Sequence, residues 1–255
     1  MPRAYRKGST SAPPGYFAWE GAGLAWLAVP GGASVVEVLG AGPTHLDLAF
    51  LTSAAATATH AEALGRGLAA THAAGAPAYG SGPPGWEGDG WLGPLSEPLP
   101  LVLGSWDTWG AFYAEARITP LVRVGRERGV LDGGGVASLE RLARTVALGD
   151  QDTGDAPARL HGDLWSGNVM WTAEGAVLID PAAHGGHREA DLAMLALFGC
   201  PHLERVVAAY EEVAPLADGW RDRVGLWQLY PLLCHTVLFG GSYAASFERA
   251  IEHFV

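Results

Sequence analysis

The sequence is short of several residue types, and each shortage excludes a class of protein. Its two cysteines, Cys200 and Cys234, form no C-x-x-C pair and no disulfide framework, so a reducing cytoplasm is the expected location. No apolar run approaches the roughly 20 residues that span a bilayer. No apolar segment follows the basic residues near the N-terminus, so neither a membrane span nor a signal peptide is expected. Lys7 is the only lysine, which draws attention to its position.

The overall balance of residues indicates a globular protein. Of the 255 residues, 49% are hydrophobic and 17% are charged, which is typical of a chain that builds one or two packed domains. The net charge of −11 argues against nonspecific nucleic-acid binding. We therefore expect no nucleic acid and no membrane as partners, while the oligomeric state stays open.

The most informative stretch is His-Gly-Asp-Leu-Trp-Ser-Gly-Asn at residues 161–168. It precedes an apolar run and a second apolar run that ends at Asp180. Phosphoryl transfer needs a carboxylate to accept the proton of the attacking hydroxyl and oxygen ligands to hold Mg²⁺. Asp163 and Asn168 have the spacing of the base and the metal ligand in the protein-kinase loop H-R-D-x-x-x-x-N. The strand–turn–strand that follows favours this interpretation over an ordinary solvated turn.

Four side chains around this stretch have competing interpretations. Asp180 precedes a proline, so it could simply cap a turn. Its position at the end of an apolar strand favours metal binding instead. We assign His161 a structural role in orienting the loop. Trp165 is either a packing residue or a wall facing the substrate. Asp191, at a predicted helix start, is expected to cap that helix and to support the catalytic loop.

The N-terminal part contains a candidate phosphate-positioning pair. Lys7 lies at a predicted strand end, and Glu20 follows 13 residues later in a predicted helix. This is the relation between the strand lysine and the helix glutamate of kinases, although two unrelated surface charges would give the same pattern. Ala49, Phe50 and Leu51 fall where a kinase has the hinge between its two lobes. Backbone N–H and C=O groups there could bind adenine.

The segment from His184 to Leu192 contains two histidines and two carboxylates. A metal cluster is conceivable, but no His/Cys framework of a zinc site is present. We expect this loop to lie beside the metal-binding Asp180, which makes His184 and Glu189, with Trp165, candidate substrate contacts.

The hydrophobic periodicity predicts a small mixed part, residues 1–51, and a larger helical part, residues 52–255. The stretch 75–100 shows no periodic element, and loops of this length are often functional. A glycine-rich turn is predicted at 133–135. The predicted strands and helices are strands at 35–39, 46–51, 169–171 and 176–179, and helices at 16–28, 59–73, 106–124, 136–149, 189–198, 202–214, 219–239 and 246–254.

Several motifs together resemble the fructosamine kinase (ketosamine-3-kinase) family, which is related to aminoglycoside phosphotransferases and choline kinases. They cover most of residues 100–250. The loop at 161–168 resembles that family's catalytic loop through its Trp-Ser-Gly interior. The other matching motifs are Ile179-Asp180-Pro181-Ala182, the stretch 186–194, Leu238-Phe239-Gly240-Gly241-Ser242-Tyr243, and Trp109-x-x-Phe112-Tyr113 with Arg117.

The resemblance implies an α+β, protein-kinase-like fold of two lobes, with a small, truncated antiparallel-sheet N-lobe and a larger, mostly helical C-lobe. It also implies ATP-dependent phosphorylation of a sugar hydroxyl on a ketosamine or glycated amine, with ATP and Mg²⁺. Asp163 would be the base, Asn168 and Asp180 the Mg²⁺ ligands, and Lys7 and Glu20 the phosphate-positioning pair.

Three departures from the family pattern leave alternatives open. The chain begins at the strand that carries Lys7, without the two preceding strands and the Gly-rich phosphate loop. This is a true truncation, a misplaced start or a shortened recombinant sequence, and a true truncation would weaken nucleotide binding. Ala49 replaces an acidic hinge residue, and His184-Gly185 replaces Tyr-Tyr beside the expected substrate pocket. The competing functions are an aminoglycoside- or choline-type phosphotransferase and a nucleotide-binding pseudokinase.

Overall fold

The computed structural model describes residues 3–149, 151–240, 242–251 and 254. The strands are β1 (Ala4–Gly8), β2 (Ser34–Val35), β3 (Val38–Gly42), β4 (His45–Ala49), β5 (Gly90–Leu92), β6 (Leu99–Leu101), β7 (Ala158–Leu160), β8 (Val169–Trp171), β9 (Ala176–Leu178) and β10 (His184–Gly186). The helices are α1 (Tyr16–Leu27), α2 (Ala58–Ala73), α3 (Trp109–Phe112), a π-helical segment (Tyr113–Ile118), α4 (Thr119–Glu127), α5 (Gly133–Ala147), a 3₁₀ turn (Ser166–Asn168), α6 (Glu189–Leu197), α7 (Leu203–Val213), α8 (Trp220–Phe239) and α9 (Ser242–Ile251).

The N-terminal part is a three-stranded antiparallel sheet, in the order β1-β4-β3, covered by α1. The antiparallel sheet expected for the N-terminal part is confirmed. Phe17 and Leu24 of α1 pack with Leu46 and Leu48 of β4 in one apolar cluster. Because alternate residues of β4 point inward, burying these two leucines sets the register of the sheet.

The single strand predicted at 35–39 is wrong. Residues 34–35 form β2, which runs parallel to β9 of the later hairpin, and 38–42 form β3, which pairs with β4. Val36 lies between them, is buried, and donates its N–H to the carbonyl of Leu178. The chain changes sheets here, so one continuous apolar run serves two different partners and ties the N-terminal part to the hairpin β8–β9.

The stretch 75–100, predicted to contain no regular element, carries most of a short antiparallel hairpin, β5–β6. The hairpin is too short for its alternation to stand out among the glycines and prolines. Leu92, Leu99 and Leu101 point into the main core, and the indole N–H of Trp19 in α1 donates to the carbonyl of Trp91. The connection is therefore packed against α1.

Several helix boundaries differ from those predicted. The helix expected from 106 begins at Trp109, because the Thr108 side chain caps it by accepting the N–H of Ala111. The glycine-rich segment 133–135 is the first turn of α5, and the carboxylate of Asp132 accepts the N–H of Gly135 at 2.8 Å. The last helix begins at Ser242 rather than at 246, and residues 252 and 253 of its predicted range lie outside the described residues.

Helices dominate the rest of the protein and surround the hairpin β8–β9. The longest, α8, packs against α6 and α9, and α2 packs along α7. The predicted α+β class, with a small antiparallel sheet followed by a mostly helical part, is confirmed. Within the described ranges, no helix has the length and apolar character needed to cross a membrane.

Candidate active site

Hydrogen bonds join the loop 161–168, predicted to be catalytic, to the segment after β9. The ring Nε2 of His161 donates to the carbonyl of Ile179 (2.9 Å), and the N–H of Ala182 donates to the carbonyl of His161 (2.9 Å). The N–H of Ile179 donates to the carbonyl of Asn168 (3.1 Å). His161 is buried, and burial lowers the pKa of its ring. These bonds connect the loop 161–168 to the segment that carries Asp180.

The carboxylate of Asp191 holds the loop from the other side. Its oxygens accept the backbone N–H groups of His161 (2.8 Å) and Gly162 (3.0 Å). Burial acts to raise the pKa of this carboxyl, but the bonds from His72 and Gly162 outweigh it and lower the pKa. The prediction that Asp191 caps its helix is wrong, because α6 has no side-chain cap and Asp191 is its third residue.

Two backbone conformations in the site tolerate few substitutions. Gly162 has φ +80°, and a Cβ there would lie 2.2 Å from the carbonyl oxygen of Ala182. Asp180 has φ +55°, which is uncommon for a non-glycine residue and is concentrated at functional sites. Asp180 lies two positions after the end of β9 at Leu178 and directly before Pro181.

Asp163 and Asn168 are directly bonded. The amide Nδ2 of Asn168 donates to the backbone carbonyl of Asp163 (2.7 Å) and to its Oδ2 (3.1 Å), and it lies 3.5 Å from the carbonyl of Asp180. Burial raises the pKa of Asp163 to about 7, and the bond from Asn168 opposes this rise. A carboxylate with this pKa is matched to accepting and returning a proton near neutral pH.

Lys7 lies between two carboxylates. Its Nζ is 2.6 Å from Oε2 of Glu20 and 3.1 Å from Oδ1 of Asp180. Burial acts to lower the pKa of Lys7, but the charges of Glu20 and Asp180 raise it, so the side chain is a cation at neutral pH. The structure thus joins the strand lysine, the helix glutamate and Asp180 in one contact.

These groups line a cavity of about 370 Å³. Lys7, Asp163, Asn168 and Asp180 form its polar end. Its remaining walls are mostly aromatic and aliphatic, and those from outside the catalytic loop include Tyr16, Trp91, Leu92, Tyr230, Pro231, His235, Leu238 and Phe239. Trp165 also lines the cavity and is 40% exposed, so its ring is not sealed in the core.

A second cavity, of about 290 Å³, adjoins the first at Lys7 and Asp180. The predicted hinge segment, Ala49, Phe50 and Leu51, forms one of its walls. The N–H of Ala49 is bonded to Glu37, and that of Phe50 to Arg3. Among the described residues of this segment, the N–H of Leu51 is therefore the one without a hydrogen-bond partner. It is the N–H that could bind the base of a nucleotide.

Two predicted substrate residues are not brought to the 370 Å³ cavity. His184 is buried in β10, where its Nδ1 donates to the carbonyl of Ala182 (2.8 Å). Glu189 is 1% exposed, and its carboxylate accepts bonds from Arg223 (2.6 Å) and from the indole of Trp227 (2.7 Å). Neither residue lines this cavity, and the Glu189 carboxylate and the Nδ1 of His184 are already bonded inside the protein, so a substrate role for either stays a prediction.

The segment that departs from the family pattern also lies away from this cavity. The backbone of Gly185 bonds to the connection after α2. The N–H of Gly80 donates to the carbonyl of Gly185 (2.7 Å), and the N–H of Gly185 donates to the carbonyl of Ser81 (2.8 Å). A Cβ at Gly185 would lie 2.2 Å from the carbonyl oxygen of Ala78. The glycine therefore lets two backbone segments pack together.

The cluster of acidic and histidine side chains in this region is a poor metal site. Asp155, His187 and Glu189 each place a ligand atom within 4.8 Å of the others. However, Arg188 pairs with Asp155 at 2.9 Å and Arg223 pairs with Glu189 at 2.6 Å. Because the two arginines already neutralise both carboxylates, a cation gains little there.

The oxygen ligands near Asp163 fit Mg²⁺ better. Asn168 offers its amide oxygen, since its nitrogen holds the loop, and Asp180 offers Oδ2, since Oδ1 faces Lys7. The Asp180 side chain is 40% exposed, which leaves room for the waters and phosphate oxygens that Mg²⁺ retains as ligands.

Sequence reasoning missed several residues of the site. His72 of α2 bonds Asp191 through Nε2 (3.1 Å) and the hydroxyl of Tyr210 through Nδ1 (2.8 Å). Tyr16 and Trp91 form walls of the cavity. No local pattern marks these side chains, because they come from distant segments. For the aromatic walls of the cavity, the available sequence signals were the Trp-rich composition of 86–91 and the motif around Phe239.

Solved structures define the class of fold. A candidate fructosamine-3-kinase from Thermobifida fusca superposes with a TM-score of 0.88 and 45% identity, covering 98% of this chain and 85% of that one. An aminoglycoside phosphotransferase solved with ADP and hygromycin B gives a TM-score of 0.57 at 17% identity, with 94% of this chain and 82% of that one covered. The fold is therefore the protein-kinase-like fold of small-molecule phosphotransferases.

The sequence profile described as fructosamine kinase matches residues 5–255. A candidate ketoamine kinase from Vibrio vulnificus is 34% identical over 169 residues, which are 66% of this chain and 55% of that protein. The chain belongs to the fructosamine kinase family. It spans about half the length of that relative.

Proposed function

We propose that this chain is an ATP-dependent kinase that phosphorylates a hydroxyl group on the sugar part of a ketosamine or glycated amine. The observation that carries the proposal is the convergence of Lys7, Asp163, Asn168 and Asp180 on one cavity whose other walls are aromatic and aliphatic. Family membership supports the same activity, since the matched relatives are named as fructosamine and ketoamine kinases.

In this proposal Asp163 accepts the proton of the substrate hydroxyl. Asn168 bonds Oδ2 of Asp163, which leaves Oδ1 for the hydroxyl. With its pKa raised to about 7 by burial, Asp163 binds the proton during transfer and releases it afterwards. Asn168 also orients the carboxylate, so the attacking oxygen is held in one direction.

The phosphate groups of ATP would lie at the end of the cavity formed by Lys7 and Asp180. Lys7 is a fixed cation, held by Glu20, and is placed to contact phosphate oxygens. Asn168 and Asp180 would hold Mg²⁺, which, when bound, neutralises charge on the transferred phosphoryl group. The base of ATP would occupy the 290 Å³ cavity, with Leu51 as the backbone contact.

The division into lobes at residues 1–51 and 52–255 is part of the proposal. The 290 Å³ cavity is lined from both segments: Tyr5, Lys7 and Leu51 come from the first, and Met170 and Ile179 from the second. A nucleotide in this position would contact both segments, which supports a cleft between them as the binding site.

The cavity also bears on which alternative kinase to test. Asp163 and Asp180 are the carboxylates that line it, so a polycationic aminoglycoside would find no further acidic residues among its described walls. A choline-type amino alcohol is the stronger second candidate, because aromatic walls such as Tyr16, Trp91 and Trp165 suit a substituted ammonium group.

The test is turnover of fructosyl-lysine with Mg-ATP, measured as ADP release and as phosphorylated product by mass spectrometry. We expect turnover in the natural chain and a loss on the order of 10²- to 10⁴-fold in Asp163→Asn. ATP binding, measured by calorimetry, should stay within about twofold in this variant, because Asp163 contacts the acceptor rather than the nucleotide.

The matched control is Asp107→Asn, an exposed aspartate outside both cavities, which should keep full activity. Turnover with amino alcohols but not with fructosyl-lysine would replace the proposed substrate. ATP binding without turnover of any of these acceptors would indicate a pseudokinase.

A further inference from the structure

A run of aromatic rings extends from the cavity of Asp163 to the protein surface. This aromatic strip consists of Trp165, Phe198, His235, Phe239 and Tyr243. Ring centroids are 6.1 Å apart between Trp165 and Phe198, 4.9 Å between Phe198 and His235, and 5.7 Å between His235 and Phe239. Tyr243 lies 5.0 Å from His235. The last two aromatic residues belong to the Phe-Gly-Gly-Ser-Tyr motif, which the phosphoryl-transfer machinery leaves unexplained.

The strip is continuous with the site of chemistry. Trp165, His235 and Phe239 line the same cavity as Asp163. Lys7 and Asp180 are shared with the 290 Å³ cavity and so mark the side from which a nucleotide approaches. The part of an acceptor that does not face the nucleotide would therefore extend along the aromatic strip.

The exposure of the strip is unusual for rings of this size. Trp165 is 40% exposed and Phe239 is 57% exposed, while many other aromatic side chains are buried. Exposed aromatic groups beside a cavity mark a ligand contact more often than isolated ones do. The ring of His235 is held by a bond between its Nδ1 and the carbonyl of Pro231 (2.7 Å), so the centre of the strip is fixed.

The chemistry of the strip suits one half of a ketosamine. The amine nitrogen of such a compound is protonated at neutral pH, and a cation packs favourably over aromatic faces. Aromatic rings also pair with one another in offset or edge-to-face arrangements. The side chains of the strip carry no carboxylate and no arginine or lysine. An acidic substituent on the amine therefore gains nothing there, whereas an aromatic one gains ring contacts.

We propose that the aromatic strip is the subsite for the amine half of the substrate and favours ketosamines whose amine carries an aromatic group over those with a small or an acidic group. This inference rests on the proposed ketosamine kinase function. It makes Phe239 a specificity-determining residue.

The experiment compares the 1-deoxy-fructose derivatives of benzylamine, methylamine and glycine. Values of kcat/KM are measured for the natural chain, Phe239→Ala and Phe239→Leu. We expect the natural chain to prefer the benzyl compound over the methyl compound by about three- to tenfold, as expected for one or two aromatic pairs. Phe239→Ala should remove most of this preference, and Phe239→Leu, which keeps apolar bulk without a ring, should fall between them.

The control is Val213→Ala, an exposed apolar residue on α7 outside the cavity, which should keep the natural preference. Saturation-transfer NMR with the benzyl compound measures binding without turnover, and it should show the phenyl protons contacting the natural chain more than Phe239→Ala. An unchanged benzyl-to-methyl preference in Phe239→Ala, together with unchanged saturation transfer, overturns the inference. A natural chain that binds the benzyl compound through its ring but turns over no ketosamine overturns the proposed function and leaves the subsite standing.

Discussion

At the scale of single residues, the site depends on buried polar groups that each have a specific partner. Glu20 is 2% exposed, and Lys7 contacts its Oε2 at 2.6 Å. The other oxygen of Glu20, Oε1, is buried without a hydrogen-bond partner among the described residues. Lys7 is therefore the group that compensates the buried charge of Glu20, in addition to its proposed role with phosphate.

Replacing Lys7 should separate these two roles. In Lys7→Met the buried carboxylate of Glu20 loses its partner, so the free energy of unfolding should fall by about 3–5 kcal/mol. The double variant Lys7→Met/Glu20→Leu should regain most of this stability, since no buried charge remains. Both variants should lose activity by about a hundredfold or more, because the phosphate contact is gone. Urea denaturation and ADP release measure the two effects, and a single variant as stable as the natural chain would contradict the pairing.

Gly162 offers a test of backbone contact in the catalytic loop. Gly162 and Gly154 have similar φ values, +80° and +77°, but a Cβ at Gly154 has no atom within 4 Å. Gly162→Ala should therefore abolish activity and lower stability well beyond Gly154→Ala, which carries the backbone strain alone. Thermal melting and turnover measure the difference. Equal effects of the two substitutions would show that the contact with Ala182 is unimportant.

At the scale of elements, the catalytic loop takes its position from helices that are remote in the sequence. Asp191 of α6 holds two of its backbone N–H groups, His72 of α2 holds Asp191, and Tyr210 of α7 holds His72. All three polar side chains are buried. These consecutive hydrogen bonds, from Tyr210 through His72 to Asp191, link the packing of α2 on α7 to the orientation of the loop 161–168.

We expect His72 to act as a positioning residue. His72→Leu leaves Asp191 without one of its donors, so the loop should shift and kcat should fall about ten- to hundredfold with little change in KM for ATP. His72→Gln keeps an N–H donor at similar reach and should recover part of kcat. The same Leu substitution at His60, on the same helix but away from Asp191, is the control. A His72→Leu variant with normal kcat would remove this role.

At the scale of the whole molecule, buried histidines tie stability to pH. Burial lowers the pKa of His184 to about 3 and that of His187 to about 4. In the unfolded chain a histidine binds its proton near pH 6.5. Below that pH the unfolded state therefore binds protons that the folded state does not. The folded state therefore has its full stability with respect to these two histidines above about pH 6.5, and it loses that stability as the pH falls towards 4.

As the pH falls through this window, each of these histidines should lower the free energy of unfolding by about 1.4 kcal/mol for every pH unit. His184→Asn/His187→Gln should show a flatter dependence between pH 6.5 and 4, measured by urea denaturation. Other titrating groups contribute equally to both proteins and cancel in the comparison. His202→Asn, at an exposed position, should keep the natural slope. Parallel curves for all three proteins would contradict the assignment.

Sequence reasoning found the hairpin after the loop 161–168 and most helices, because these depend on local spacing and periodicity. It failed where long-range contacts decide the structure. Residues 34–42 split between two sheets because Val36 bonds to Leu178, more than 140 positions away. Glu189 was expected at the substrate and instead pairs with Arg223, which is distant in sequence but adjacent after α6 and α8 pack.

The sequence by itself determined the spacing of Asp163, Asn168 and Asp180, since the loop and hairpin that carry them are local structures. The family motifs followed from the same local stretches. Only the tertiary structure decided that Lys7 meets both Glu20 and Asp180, that Asp163 is buried enough to raise its pKa to about 7, and that rings from three segments form the aromatic strip. Burial and long-range contact are properties of packed elements, and no single stretch of the sequence contains them.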